Sequence, residues 1–221
     1  MKAVCLLSGG MDSSTMTYLA RAEGYEILAL HTCYGQRTGR KEHRCAQAIA
    51  SALGAIEFIE LSLDYLAKIG GSSLTDASLD IPDYQREEEE IPNTYVPFRN
   101  GNLLSIATSV AEARGAEAVF IGVQSSDYSG YPDCRPEFIE AFRRVVDLGT
   151  ATEQKIAIRA PFIHMNKREI LEIGIALGVP YEHTWSCYRS DEPACGRCAS
   201  CHFRMQAFGE LGIPDPIRYE G

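Results

Sequence analysis

The sequence predicts an α/β fold, a doubly wound and mainly parallel sheet followed by a small helical C-terminal region that carries clustered cysteines. Three observations point there. Short apolar runs alternate with amphipathic stretches, glycines close several of those stretches, and four of the eight cysteines crowd between positions 187 and 201. A chain of 221 residues, 45% hydrophobic and 23% charged, has the composition of a globular protein and the length to bury a sizeable core.

Runs at 3–7, 26–30, 56–61, 118–121 and 156–160 read as short buried strands. Between them, 13–22, 41–53, 102–114 and 136–146 read as helices, with Gly24, Gly54 and Gly115 where a left-handed cap is wanted. Another helix opens at Lys167, behind Asn166 with Glu169 at the capping-box position, and a last one covers about 199–211. Repeated strand–helix alternation makes right-handed crossovers and places ligands beyond the carboxyl ends of strands. The expected division is an α/β body over 1–180 and a cysteine region over 181–221. The stretch 70–92, with its acidic run at 87–90, reads as a polar solvated loop outside the core, although long loops also serve as lids.

A net charge of −9 argues against a broad nucleic-acid footprint and favours a small-molecule substrate. The first apolar run is too short for a signal peptide or a membrane span, so a cytoplasmic location is expected, with no membrane partner. In that compartment clustered cysteines point to metal more than to disulfides.

Ser8-Gly9-Gly10-Met11-Asp12-Ser13-Ser14 sits between the first strand and the first helix. Two glycines let the backbone approach a ligand, and the helix start offers free N–H groups to an anion, so the segment is a phosphate cradle. No Gly-Lys-Ser/Thr and no G-x-G-x-x-G occurs, which excludes a Walker A loop and a dinucleotide fingerprint. It resembles the loop of PP-loop ATP pyrophosphatases, with their adenine-nucleotide alpha-hydrolase-like fold. The resemblance implies ATP contacts from Leu7, Ser8, Gly9, Gly10, Met11, Asp12, Ser13, Ser14, Thr15, Met16 and Thr17. Ser8, Ser13 and Ser14 would donate to phosphate, and Asp12 would hold Mg²⁺ or orient the loop. Asp12, Ser13 and Lys167 are the candidate catalytic residues.

Cys187, Cys195, Cys198 and Cys201 supply the four thiolates of a closed, structural Zn²⁺ site. C-x₂-C-x₂-C also occurs in iron–sulfur runs, but the distant first cysteine and the lack of a following C-x₃-C-P favour zinc. Cys5, Cys33, Cys45 and Cys134 read as packing residues.

Further segments carry a family resemblance. Tyr34-Gly35-Gln36-Arg37, Thr94-Tyr95-Val96-Pro97-Phe98-Arg99-Asn100, the stretch from Asp127 through Tyr131 and Asp133 to Arg135, Asn166-Lys167, and Cys187-Tyr188 through Cys201-His202 are similar in order to the 7-cyano-7-deazaguanine synthase family. That implies conversion of 7-carboxy-7-deazaguanine and ammonia, with ATP, to the nitrile precursor of queuosine or archaeosine, by a homodimer that does not touch nucleic acid directly. Arg99 and Asn100, just ahead of a helix, would bind carboxylate or phosphate. Asp127, Tyr131, Asp133 and Arg135 would read the guanine-like edge. The chain departs from the family pattern at Thr32-Cys33, Thr38, Phe98 and Ser125.

Overall fold

A computed structural model describes residues 1–85, 91–125, 130–151 and 155–220. Five strands, β1 (Lys2–Leu6), β2 (Glu26–Cys33), β3 (Glu57–Ser62), β4 (Ala118–Phe120) and β5 (Ala157–Arg159), form one parallel sheet in the order β3-β2-β1-β4-β5. The chain winds outward from β1 to β3, then returns across the sheet to β4 beside β1. That reversal opens a crevice beyond the carboxyl ends of β1 and β4, where open α/β sheets bind ligands.

Successive residues of β1 explain the two layers. Val4 and Leu6 point into a core closed by α4 (Arg99–Arg114) and α5 (Pro136–Gly149), through Leu104, Ala107, Ile139 and Phe142. Ala3 and Cys5 point the other way, into a core closed by α1 (Met11–Ala22), α2 (Gly39–Leu53) and α6 (Lys167–Ala176), through Met16, Ile49 and Ile170. Side chains on a strand alternate between faces, so apolar runs without polar gaps are what a sheet covered on both sides needs. Gly54 and Gly115 end α2 and α4 with φ of 73° and 63°, the left-handed caps expected of them. Among the described residues no helix is long and apolar enough to cross a membrane.

Several boundaries differ from the sequence expectation. β2 runs on to Cys33 because β3 pairs with it that far. The helix α4 starts at Arg99, so Arg99 and Asn100 lie in its first turn and not ahead of it. A five-residue helix, α3 (Tyr65–Ile69), was not foreseen. The segment 70–92 is not simply solvated: Ser72, Ser73, Leu74 and Ile81 are buried, and Leu74 and Ile81 join the core around the cysteine region. The acidic run at 87–90 lies outside the described residues.

The C-terminal region ends in α7 (Ala199–Glu210), preceded by the cysteine loop. Arg204 in α7 is buried, and all its nitrogens are used. Its guanidinium forks onto Asp215 at 2.8 and 2.9 Å and donates to Thr184 Oγ1 at 2.7 Å and to the Tyr181 carbonyl at 3.2 Å. A buried cation is tolerated on those terms, and here it ties the tail back onto the body.

Candidate active site and cysteine cluster

The crevice holds a cleft of about 240 Å³. Its floor is the loop after β1 and the first turn of α1; its walls are Thr32 near the end of β2 and Tyr34 just after it, Gly122 after β4, Arg99 on α4, Lys167 on α6, and Trp185, Ser186 and Tyr188 from the cysteine region.

The loop is internally braced. Ser8 Oγ and Ser13 Oγ lie 2.9 Å apart, the Gly10 N–H donates to Ser8 Oγ at 3.2 Å, and Ser13 Oγ donates to the Gly10 carbonyl at 3.3 Å. Gly9 has φ of +85°, and a Cβ there would stand 2.6 Å from the Glu42 carbonyl and 2.7 Å from the Ala46 nitrogen. The obstruction is backbone of α2, which cannot step aside. Gly9→Ala is therefore expected to cost about 2–3 kcal/mol of stability, combining φ strain with overpacking and read as a lowered thermal midpoint. A midpoint equal to wild type would mean that the loop does not pack against α2 in this way.

Asp12 and Lys167 meet across the cleft floor, Lys167 Nζ donating to Asp12 Oδ2. Lys167 is held by the capping box foreseen in the sequence: Asn166 Oδ1 accepts the Glu169 N–H at 3.0 Å and Glu169 Oε2 accepts the Asn166 N–H at 2.8 Å. The other carboxylate oxygen of Asp12 is buried with no partner among the described residues, as is Ser14 Oγ. Buried acceptors are normally satisfied, so an unpaired carboxylate oxygen beside this loop leaves an open place for a donor or a cation. Leu7, Ser8, Gly10, Met11 and Ser13 also line the cleft. Gly9, Ser14, Thr15, Met16 and Thr17 do not: the last four are fully buried in α1, Thr15 bonded to the Tyr181 hydroxyl at 2.7 Å and Thr17 to the Ser13 carbonyl at 2.7 Å.

On the opposite wall, Arg99 Nη1 donates to the Tyr34 hydroxyl at 2.9 Å, and its guanidinium carbon lies 5.5 Å from the Tyr34 ring centre. Burial raises the Tyr34 pKa against the pull of Arg99, so the phenol stays neutral beside the guanidinium. Glu42 also faces the cleft, accepting from Thr38 Oγ1 at 2.7 Å and Gln36 Nε2 at 3.2 Å, with its pKa raised by burial. Two departures from the family pattern thereby find local roles, Thr38 on Glu42 and Ser125, whose hydroxyl donates to the Met165 carbonyl at 2.8 Å.

The remaining candidates divide. Asn100 and Tyr131 line the cleft, the Tyr131 hydroxyl 2.9 Å from Thr94 Oγ1. Asp133 is not on the cleft wall. It is buried behind Asn100, where its Oδ2 accepts the Asn100 N–H at 2.7 Å, so it is not placed to read a base edge. Arg135 is exposed at the start of α5 and also off the cleft wall. Asp127 lies outside the described residues.

Cys187, Cys195, Cys198 and Cys201 are all buried, and their sulfurs lie within 4.8 Å of one another. Cys187 Sγ receives the N–H groups of Arg189 (3.3 Å), Ser190 (3.4 Å) and Cys195 (3.4 Å), and Cys195 Sγ those of Arg197 (3.5 Å) and Cys198 (3.4 Å). Shared protons with Cys198 and Cys201, and then the Cys195 N–H, hold the Cys187 thiol well below its ordinary pKa. Four converging sulfurs fed by backbone donors fit a metal ion bound by thiolates. The cluster also reaches the cleft, because the Trp185 N–H donates to the Gly9 carbonyl at 2.8 Å.

The family described as Queuosine biosynthesis protein QueC matches residues 2–212. This chain belongs to the QueC family. Proteins named 7-cyano-7-deazaguanine synthase resemble it end to end: that of Methanoculleus marisnigri is 64% identical over 219 residues, 99% of either chain, and that of Halobacterium salinarum is 57% identical over 218 residues, 99% of this chain and 95% of that one. Among solved structures, NMN synthetase from Francisella tularensis superposes with a TM-score of 0.53 over 96% of this chain and 78% of its own. The U34-tRNA thiolase NcsA from Methanococcus maripaludis gives 0.51 over 96% and 64%. Both are 15% identical and speak to fold alone.

Sequence reasoning missed part of this QueC family site. Trp185, Ser186 and Tyr188 bracket the first metal-type cysteine, a position from which one short step carries the chain into the cleft. Glu42 is masked by its helix, where it reads as a surface carboxylate four residues beyond Thr38. For Tyr34 a signal existed, since it opens Tyr34-Gly35-Gln36-Arg37 directly after a strand end.

Proposed function

We propose that this chain converts 7-carboxy-7-deazaguanine and ammonia, at the expense of ATP, into 7-cyano-7-deazaguanine, in the biosynthesis of queuosine or archaeosine. The observation that carries the reading is one cleft with two ends: a braced phosphate-type loop with Asp12 and Lys167 at its floor, and an aromatic-flanked cation, Arg99, on its far wall. An aromatic acid and a polyphosphate can then meet between them.

Making a nitrile from a carboxylate removes oxygen twice, and neither carboxylate nor amide oxygen leaves readily. Adenylation supplies the leaving group. ATP phosphates rest on the loop N–H groups and the start of α1, Lys167 offsets charge developing on pyrophosphate, and Arg99 orients the acid carboxylate for attack. Mg²⁺ with the nucleotide, held through the free oxygen of Asp12, supplies further charge neutralisation when bound. Trp185, Ser186 and Tyr188 close the cleft toward the cysteine region and limit water around the activated acid. The cluster is read as a structural Zn²⁺ site, its four protein ligands leaving no open position. The division into 1–180 and 181–221, a cytoplasmic homodimer, and the absence of direct nucleic-acid contact complete the proposal.

Sustained pyrophosphate release over many turnovers that requires 7-carboxy-7-deazaguanine and ammonia together is the expected assay result. Release without the acid, or with tRNA in its place, would point to another PP-loop chemistry, and no release would leave a non-catalytic nucleotide-binding protein. Arg99→Ala should weaken the acid by about 1.5–3 kcal/mol, one charge-assisted hydrogen bond, with little loss of stability. Unchanged affinity for the acid and for ATP would remove Arg99 from the site.

A further inference from the structure

Helix α4, which carries Arg99, has no side-chain cap of its own. The cap position is Phe98, whose side chain has nothing to accept a hydrogen bond and whose backbone sits in the left-handed region with φ 53° and ψ 30°. A bulky residue adopts that conformation only where its surroundings impose it. Here they do: the Tyr95 hydroxyl accepts the Phe98 N–H at 2.9 Å, Asn102 Nδ2 donates to the Phe98 carbonyl at 2.8 Å, and Gly101 lacks the Cβ that would stand 2.3 Å from the Phe98 ring. The turn is thus locked so that the next residue, Arg99, enters the cleft.

The missing cap comes from far along the chain. Asp133, on the short 3₁₀ turn Pro132–Cys134, is 3% exposed and accepts the Asn100 N–H through Oδ2 at 2.7 Å. Asn100 Nδ2 answers by donating to the Asp133 carbonyl at 3.4 Å and to Cys134 Sγ at 3.1 Å. Burial raises the Asp133 pKa while the Asn100 N–H and the Arg99 charge oppose it. An ordinary cap is a solvated Ser, Thr, Asp or Asn and needs no buried carboxylate. Arg99 is therefore held from both sides, by Asp133 behind its peptide and by the Tyr34 hydroxyl in front of its guanidinium.

We infer that Asp133 is a positioning residue: by capping α4 in place of Phe98 it aims Arg99 at the substrate carboxylate. The inference rests on the proposed reading in which Arg99 receives that carboxylate.

A double-mutant cycle tests it, with calorimetric binding of 7-carboxy-7-deazaguanine and of ATP to wild type, Arg99→Ala, Asp133→Ala and the double variant. Asp133→Ala should weaken the acid about tenfold and ATP less than about twofold, and should add nothing once Arg99 is gone, because the pair acts as a unit. Asp133→Asn keeps an acceptor for the Asn100 N–H and should recover affinity to within about threefold of wild type. If Asp133→Ala does not fold, Asp133→Ser takes its place in the same cycle. Equal weakening of acid and ATP, or a full additional loss in the Arg99→Ala background, would reduce Asp133 to a structural cap and overturn the inference alone. Wild-type affinity for the acid in Arg99→Ala would overturn the assignment of Arg99 and this inference with it.

Discussion

An Asp12→Ala protein should fold, melt within a few degrees of wild type, and turn over at least about 10²–10³-fold more slowly, the loss typical of deleting one preorganised charge from a transition-state site. Two observations set the size and the selectivity of the effect. One oxygen of the carboxylate holds Lys167, and the other is buried with no partner among the described residues. Removing the side chain releases Lys167 from its position and deletes the oxygen left free for a cation. It also removes an unsatisfied buried acceptor, a feature that costs stability, so the fold has little to lose. Asp12→Asn keeps the shape and loses the charge; it should be nearly as slow, because an amide neither neutralises Lys167 nor binds a hard cation well. Steady-state rates with circular dichroism on both variants make the comparison. A folded Asp12→Ala enzyme with near wild-type turnover would sink the assignment of this loop to phosphate chemistry.

What could be read in the sequence was whatever is encoded locally. Loop and helix start, the Asn166–Glu169 capping box that positions Lys167, and the four close-set cysteines are each built within a few residues, and each stands where expected. The two-layer fold was legible for a similar reason, since strands buried on both faces leave long apolar runs. Long-range features were not. The start of α4 was hidden because its cap, Asp133, lies 33 positions from the N–H it accepts, and because Phe98 carries no capping signature. For the same reason Asp133 looked like a base-reading carboxylate, when its partner is backbone. The segment 70–92 looked solvated by composition, yet the Arg189 guanidinium donates to the Ile81 carbonyl and pairs with Asp83, while the Tyr84 N–H donates to the Arg197 carbonyl at 2.8 Å and its ring stacks on His202 at 3.9 Å. Those contacts come from the cysteine region and are invisible to local composition.

That arrangement gives metal removal an effect beyond the cluster. Arg189 and Arg197 donate their N–H groups to cluster sulfurs and also hold the 81–84 segment of the loop, Arg189 by its side chain and Arg197 by its carbonyl. On the other side Trp185, two residues before Cys187, ties the cluster to Gly9 in the phosphate-type loop. Thiolate binding and local folding are one event, with apparent energies of about 10–16 kcal/mol in isolated fingers. A larger body retains part of the structure without metal, so a loss of about 4 kcal/mol is a fair expectation, lowering the thermal midpoint by roughly 8–16 °C for a chain of this size. Stripping the metal, or changing any one of Cys187, Cys195, Cys198 and Cys201 to Ser, should cost stability and solubility before it costs chemistry, and hydrogen exchange should rise at 81–85 and 185–190 together. Protein purified without added metal should carry close to one zinc per chain and no visible absorption band. Iron with acid-labile sulfide and a brown colour would replace the zinc reading by a cluster, and an unchanged midpoint after complete metal removal would end the structural role.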